Sequence, residues 1–307
     1  MFDMRGNHAG KARHIMIREI HNDILRVRVN EHGAELYSVV RNDGTEYIWQ
    51  GCAPYWDGRA MNIFPNCGRF FDGRYTYRGK EYSIKCHGVA RDADFVLMPD
   101  SSADTLVFGL DSNDVTRASY PFDFSLRISY HLDGERLECR NFVTNTGDDI
   151  LPFSTGAHPG FNVPLTAGNK FSDYRVDFGN VGQLVRTPIN GKGFIEGEAT
   201  WYPLMDGRYI ELDHHLFDND AIFFENVPSS VSIVSDKDRR SVTLTCPQVR
   251  RLGLWHTNQT DAPFVCIEPW LGVPSRQGVI DDLATRPDMI RLTPGDSFAF
   301  DYTISFN

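Results

Sequence analysis

The sequence contains no run of about 18 apolar residues, so no membrane-spanning helix is expected. Positive charge is scarce: 31 Lys and Arg stand against 41 Asp and Glu, for a formal net charge of −10. That balance gives the wrong long-range sign for nucleic acid or an anionic membrane, and it leaves a neutral small ligand open. Six cysteines, at 52, 67, 86, 139, 246 and 266, form no C-x-x-C pair, which excludes a zinc ribbon or thioredoxin-type motif. In a chain of 307 residues with no export signal they read as free thiols. Residues 1–20 carry Arg5, His8, Lys11, Arg13 and His14 but no apolar stretch of the signal-peptide kind. They are expected to be a flexible lead-in, and the expected setting is the cytoplasm. No G-x-S-x-G, P-loop or H-E-x-x-H pattern is present, and the histidines lack zinc-ligand spacing, so no metal is expected. His214 and His215 look like a metal pair, but neighbours on an extended chain point to opposite sides. The 3.6-residue period is nearly missing. Only Ser275 to Thr285, with Ser275 as a cap and Pro287 past its end, predicts a short helix.

What is present is a period of two. Leu25, Val27 and Val29 alternate with arginines, and Asn42-Asp43-Gly44 reads as a turn into Tyr47-Ile48-Trp49. Tyr75–Tyr77 and Tyr82–Ile84 flank Arg78-Gly79-Lys80 as a hairpin. Phe124, Leu126, Ile128, Tyr130 and Leu132 alternate up to Asp133-Gly134, and Leu137, Cys139, Asn141 and Val143 return. With 41% hydrophobic residues the chain can bury a large core. Many short strands with turn signals every ten or so residues predict an all-β fold, a large antiparallel sandwich or barrel. No linker, charge block or repeat interrupts it, so residues 21–307 are read as one domain.

Five stretches break that pattern. In Cys266-Ile267-Glu268-Pro269-Trp270 a carboxylate follows a short apolar run and precedes a strand-ending proline and a flat indole. Glu268 is either a base beside a ligand-stacking wall or an edge residue bonded to backbone. In Asn62–Phe70, Arg69 follows Gly68 and is either a fork of donors for hydroxyls or an ordinary surface arginine. His87-Gly88 places a histidine where a glycine permits close approach, or simply caps a turn. Ser154–Pro164 holds His158 in extended geometry before Pro159. Leu216–Phe224 carries Asp218 and Asp220 ahead of an apolar run.

Taken in order, Cys67-Gly68-Arg69, His87-Gly88, Gly156-Ala157-His158-Pro159-Gly160-Phe161 and Glu268-Pro269-Trp270 resemble the motifs of the aldose 1-epimerase (galactose mutarotase-like) family, and most of all its LacX-like branch. The resemblance runs from about residue 20 to the end. It implies a large antiparallel β-sandwich with a sugar cleft on one sheet and an activity that interconverts α and β anomers of a free aldose. It further implies Glu268 as general base, His158 as general acid, Arg69 and His87 as ligands of ring oxygen and hydroxyls, and Asp220 (or Asp218) as a hydroxyl ligand. Trp270 is the expected wall. Val89 stands after His87-Gly88 where the family commonly has an aromatic, and the tyrosine often found downstream of the His-Pro motif has no clear counterpart.

The chemistry fits these residue types. A base removes the proton of the C1 hydroxyl, an acid protonates the ring oxygen, the C1–O5 bond opens, and reclosure after rotation about C1–C2 gives the other anomer. A Glu and a His on opposite sides of the sugar serve if their proton affinities suit the working pH, and burial beside Trp270 raises that of Glu268. No cofactor is required, the expected partner is a small sugar, and the chain is expected to be a monomer or homodimer. Two alternatives remain: a hexose-6-phosphate mutarotase using Arg59, Arg69, Arg74 and Arg91, and a carbohydrate-binding or sugar-sensing protein without turnover.

Overall fold

The computed structural model describes residues 16–307. The expected lead-in falls mostly outside the described residues, but its last part does not. Ile17–His21 is a strand paired antiparallel with Leu25–Asn30, so regular structure begins before residue 21.

Two large antiparallel sheets carry the fold. The first has nine strands, in the order Tyr209–Glu211, Tyr174–Asp177, Ser230–Ser235, Asp238–Thr245, Ser297–Phe306, Arg136–Asn145, Phe124–Asp133, Thr105–Asp111 and Val96–Leu97. The second has seven, in the order Thr200–Pro203, Gln183–Thr187, Ile222–Glu225, Arg251–Trp255, Phe264–Pro269, Gly156–Asn162 and Ala60–Ile63. Smaller sheets flank them. The predicted all-β sandwich is what the structure shows.

Side-chain alternation explains how the sheets meet. In Phe124–Asp133 the residues Phe124, Leu126, Ile128, Tyr130 and Leu132 are buried, and those between them are partly exposed. The buried row packs into one core with Val265, Ile267, Leu252, Leu254, Ile222 and Phe224 of the seven-stranded sheet. Burying each such side chain contributes about 1.5–3 kcal/mol. Polar residues also cross between the sheets. Asn62 Nδ2 donates to Tyr130 Oη (3.0 Å), and Asn141 Nδ2 donates to Thr155 Oγ1 (3.1 Å).

The helix predicted over Ser275–Thr285 does not form. Gly278 is at φ 82°, outside the helical region. The Ser275 hydroxyl donates to Asp281 instead of capping a turn. Asp281–Asp282 is a short strand parallel to Arg74–Tyr77. The buried Arg286 holds this segment through Asp281 and Asp288, each at 2.7 Å. A helix appears instead at Asp114–Ser119, where the Asn113 side chain accepts from Val115 and Thr116 N–H in a capping box. All six cysteines are unpaired.

Candidate active site

The strand Phe264–Pro269 is buried along its whole length. Its side chains still divide by the period of two. Val265 and Ile267 enter the main core, whereas Phe264 and Cys266 join a separate cluster with Trp49 on the far face of the sheet. Glu268 continues that far-face row. Directly opposite it on the next strand is Gly253. A Cβ on Gly253 would lie 3.4 Å from the Glu268 Cβ and 3.6 Å from its Oε2, so the glycine leaves the carboxylate its space. On the other flank Gly156–Asn162 splits in the same way, with Ala157 and Phe161 in the core and His158 on the far face.

His158 Nε2 and Glu268 Oε2 are therefore neighbours, 3.2 Å apart, with side chains only 9% and 2% exposed. The two groups stand side by side, not on opposite sides of a sugar-sized gap. The chemistry accommodates this, because the C1 hydroxyl oxygen and the ring oxygen are bonded to the same carbon. An adjacent donor and acceptor can address both from one side.

Burial sets the protonation of the pair. It raises the Glu268 carboxyl well above its ordinary range, helped by the nearby negative charge of Asp220. It pulls the His158 imidazole down to about 3, and the positive Arg91 acts in the same direction. Each group is disfavoured in its charged form. A proton on the pair is therefore favoured on Glu268 over His158. Glu268 Oε1 and His158 Nδ1 are buried without a hydrogen-bond partner.

His87 joins this pair, its ring centroid 5.2 Å from that of His158 and 5.3 Å from that of Trp270. Its backbone is left-handed, at φ 64°, and Gly88 follows at φ 79°. A Cβ on Gly88 would collide with the Phe64 carbonyl, so only glycine fits there. Nδ1 of His87 accepts from Gly68 N–H (3.3 Å), which leaves Nε2 as its donor. Burial first, then His158, Arg91 and Arg69, keeps this ring neutral.

Arg69 and Asp220 meet beside Gly193. The Arg69 Nε and the Asp220 Oδ2 lie 3.2 and 3.5 Å from where a Cβ on that glycine would sit. Burial raises the Asp220 carboxyl, while the Ala221 N–H and the Arg69 charge oppose the rise. Asp220 adopts φ 83°, and its charge reaches Glu268. Asp218 is turned away, bonded to His215 Nδ1 (3.0 Å). The structure thus brings together Glu268, His158, His87, Trp270, Arg69 and Asp220.

The four arginines of the phosphate alternative do not converge. Arg59 donates to the Tyr37 carbonyl (2.9 Å) and stacks on the Tyr37 ring. Arg74 is paired with Asp72 and Glu81 on the outer hairpin. Arg69 and Arg91 remain, both acting on His87.

Sequence reasoning missed the aromatic floor. Trp56 lies 5.1 Å and Trp255 lies 5.6 Å from the His158 ring, centroid to centroid. They supply the flat surface that Val89 does not. Trp255 was accessible to the period-of-two argument, because it is two residues from Gly253 on the same strand face. Trp56 was not, because it comes from an irregular loop. His214 and His215 diverge within the short turn His214–Phe217: His214 Nδ1 meets His256 Nε2 (3.1 Å), and His215 meets Asp218. Among the described residues, the group with metal-ligating atoms close together is His158, Cys266 and Glu268.

Comparison with known proteins places this geometry. Residues 16–305 match the family model described as aldose 1-epimerase. The plasmid-encoded protein LacX of Lactococcus lactis subsp. lactis is 30% identical over 298 residues, covering 94% of this chain and 99% of its own. A galactose mutarotase related enzyme from Lactobacillus acidophilus superposes with a TM-score of 0.90 at 31% identity, covering 95% of this chain and 97% of that one. A galactose mutarotase-like protein from Lactobacillus casei gives 0.88 at 28% identity, covering 95% and 100%.

Proposed function

The chain belongs to the aldose 1-epimerase family, and from that premise we propose that it interconverts the α and β anomers of a free aldose. The observation that carries this reading is the buried contact of His158 Nε2 with Glu268 Oε2 at 3.2 Å. A proton on Glu268 passes across that contact to His158. The resulting carboxylate takes the proton of the C1 hydroxyl as the imidazolium protonates the ring oxygen. The C1–O5 bond opens, the aldehyde turns about C1–C2, and reclosure from the other face returns both protons. No proton is gained or lost over the cycle. The nonpolar walls of Trp56, Trp255 and Trp270 strengthen the electrostatics of the step by excluding water.

Arg69, His87 and Asp220 hold the sugar. Arg69 has no carboxylate within ion-pair distance among the described residues, so its donors are available to hydroxyls. A second reading, a phosphorylated hexose, is favoured by the charges of Arg69 and Arg91 both reaching His87 and opposed by the engagement of Arg59 and Arg74. Polarimetry of freshly dissolved glucose, galactose and their 6-phosphates separates the two. Faster equilibration of the free sugars is expected. Acceleration of the phosphates alone would overturn the first reading, and saturable sugar binding without acceleration would leave a binding protein.

A further inference from the structure

Directly beneath the acid–base pair lies a thiol that the proposed reaction does not use. Cys266 is on the same strand face as Glu268, two residues earlier, and its cross-strand partner is Gly160, on the strand that carries His158. One nitrogen of His158, the sulfur of Cys266 and one carboxylate oxygen of Glu268 all lie within 4.8 Å of one another. All three residues are buried. Two polar atoms of these residues, Glu268 Oε1 and His158 Nδ1, have no partner. A buried polar atom without a partner marks a place where something else is accommodated.

We propose that His158, Cys266 and Glu268 form an inhibitory binding site for a thiophilic divalent cation of the Zn²⁺ or Cd²⁺ class. Zinc binds imidazole nitrogen at about 2.0–2.1 Å, carboxylate oxygen at about 2.0–2.2 Å and thiolate at about 2.3 Å, preferring tetrahedral geometry. Tetrahedral ligand atoms at such bond lengths stand roughly 3.3–3.7 Å apart. The observed 3.2 Å contact and the 4.8 Å outer limit bracket that spacing, so small side-chain rotations complete a three-ligand set. The mix of nitrogen, sulfur and oxygen selects soft or borderline cations over Mg²⁺ and Ca²⁺, which need several oxygens. Of the three, His158 is the least buried, with a side chain 9% exposed, and it offers the way in. Binding releases the thiol proton and the proton shared by the pair, so it strengthens as pH rises. Bound cation occupies both Glu268 and His158 and leaves neither free to move a proton.

The inhibitory part rests on the proposed epimerase activity, whereas the binding part does not. The test uses the full chain after treatment with a chelator and then dialysis, with Co²⁺ as the probe. One equivalent is expected to bind and to give the near-ultraviolet absorption of a cobalt–thiolate bond. That band is expected to persist in Cys52→Ser, which removes an exposed thiol, and to vanish in Cys266→Ser. Glu268→Gln keeps the cysteine and the packing, and it is expected to weaken Co²⁺ binding at least about 10-fold. In the mutarotation assay one equivalent of Zn²⁺ is expected to stop the wild type, and the chelator to restore it. Cys266→Ser is expected to turn over normally and need at least about 10-fold more Zn²⁺. Absence of the band in the wild type, or its persistence in Cys266→Ser, would overturn the site. A protein that shows the band when loaded with Co²⁺, yet accelerates no anomerisation in its metal-free form, would retain the site and refute the epimerase reading.

Discussion

The two large sheets bury their residues differently, and the difference locates the chemistry. In the nine-stranded sheet the strand Phe124–Asp133 alternates buried and partly exposed residues. Its outer row faces water and its inner row makes core. In the seven-stranded sheet the strand Phe264–Pro269 has no exposed row at all. One of its rows makes core, and the other is covered by a second cluster in which Trp49, Trp56 and Trp255 pack around Phe264 and Cys266. A sheet covered on both faces can hold a carboxylate and an imidazole away from water, which a sheet wetted on one side cannot. The protonation of Glu268 and His158 follows from that second covering.

The sharpest way to break the comparison is to remove function from the far face without touching the core face. Glu268→Gln is expected to lower the mutarotation rate by about 10²–10⁴-fold. It is also expected to stabilise the fold relative to wild type at neutral and higher pH. The folded carboxyl is raised above its unfolded value, so its contribution to stability is full below the unfolded value and is lost as pH rises through the folded one. Glutamine has no such proton to lose. Thermal melts of both proteins from pH 5 to 9 check the sign: a stability gap that closes as pH rises would contradict it.

The converse change attacks the core face two atoms of backbone away. Ile267→Ala is expected to cost about 2–5 kcal/mol in denaturant unfolding, while the rate per folded molecule changes little. A large loss of rate at unchanged stability would erase the distinction between the faces. Gly88→Ala tests the backbone beneath His87. The clash with Phe64 and the left-handed φ are expected to cost about 1–3 kcal/mol or more, and to weaken sugar binding, as calorimetry would read.

A milder test is the pH profile. A free histidine loses activity around pH 6.5. Here the acid limb is expected near pH 3, where His158 takes a second proton onto the pair, or where the protein unfolds first. The alkaline limb is expected to reflect Glu268, well above carboxylate values. Activity that falls through pH 6–7 would show that His158 is not desolvated as the structure has it. The smallest effect belongs to the wetted row of the nine-stranded sheet: Ser129→Ala is expected to change stability by no more than about 0.5 kcal/mol and activity not at all.

The same contrast explains what could be read without the structure. The hairpin of Phe124–Asp133 with Arg136–Asn145 was legible because water on one face imposes a strict alternation. The residues of Phe264–Pro269 read only as an apolar run, since burial on both faces erases the period. Glu268 stood out because a carboxylate in such a run needs a reason, and His158 and His87 because proline and glycine fix their backbones. The direct contact of His158 with Glu268 was not legible, since it depends on strands separated by about a hundred residues pairing side by side. Trp56 was hidden in a loop. The helix signal over Ser275–Thr285 misled because Ser275 serves the buried Arg286–Asp281 network in place of a helix end.

The central claim is that the buried His158–Glu268 pair opens and closes a sugar ring. The most direct test is exchange between the α and β anomeric proton resonances of glucose or galactose, followed by NMR at pH 7 with wild type and with Glu268→Gln. Wild type is expected to accelerate exchange well above buffer, and the variant to fall back close to it. No acceleration by wild type with any common aldose, or equal acceleration by the variant, would contradict the account.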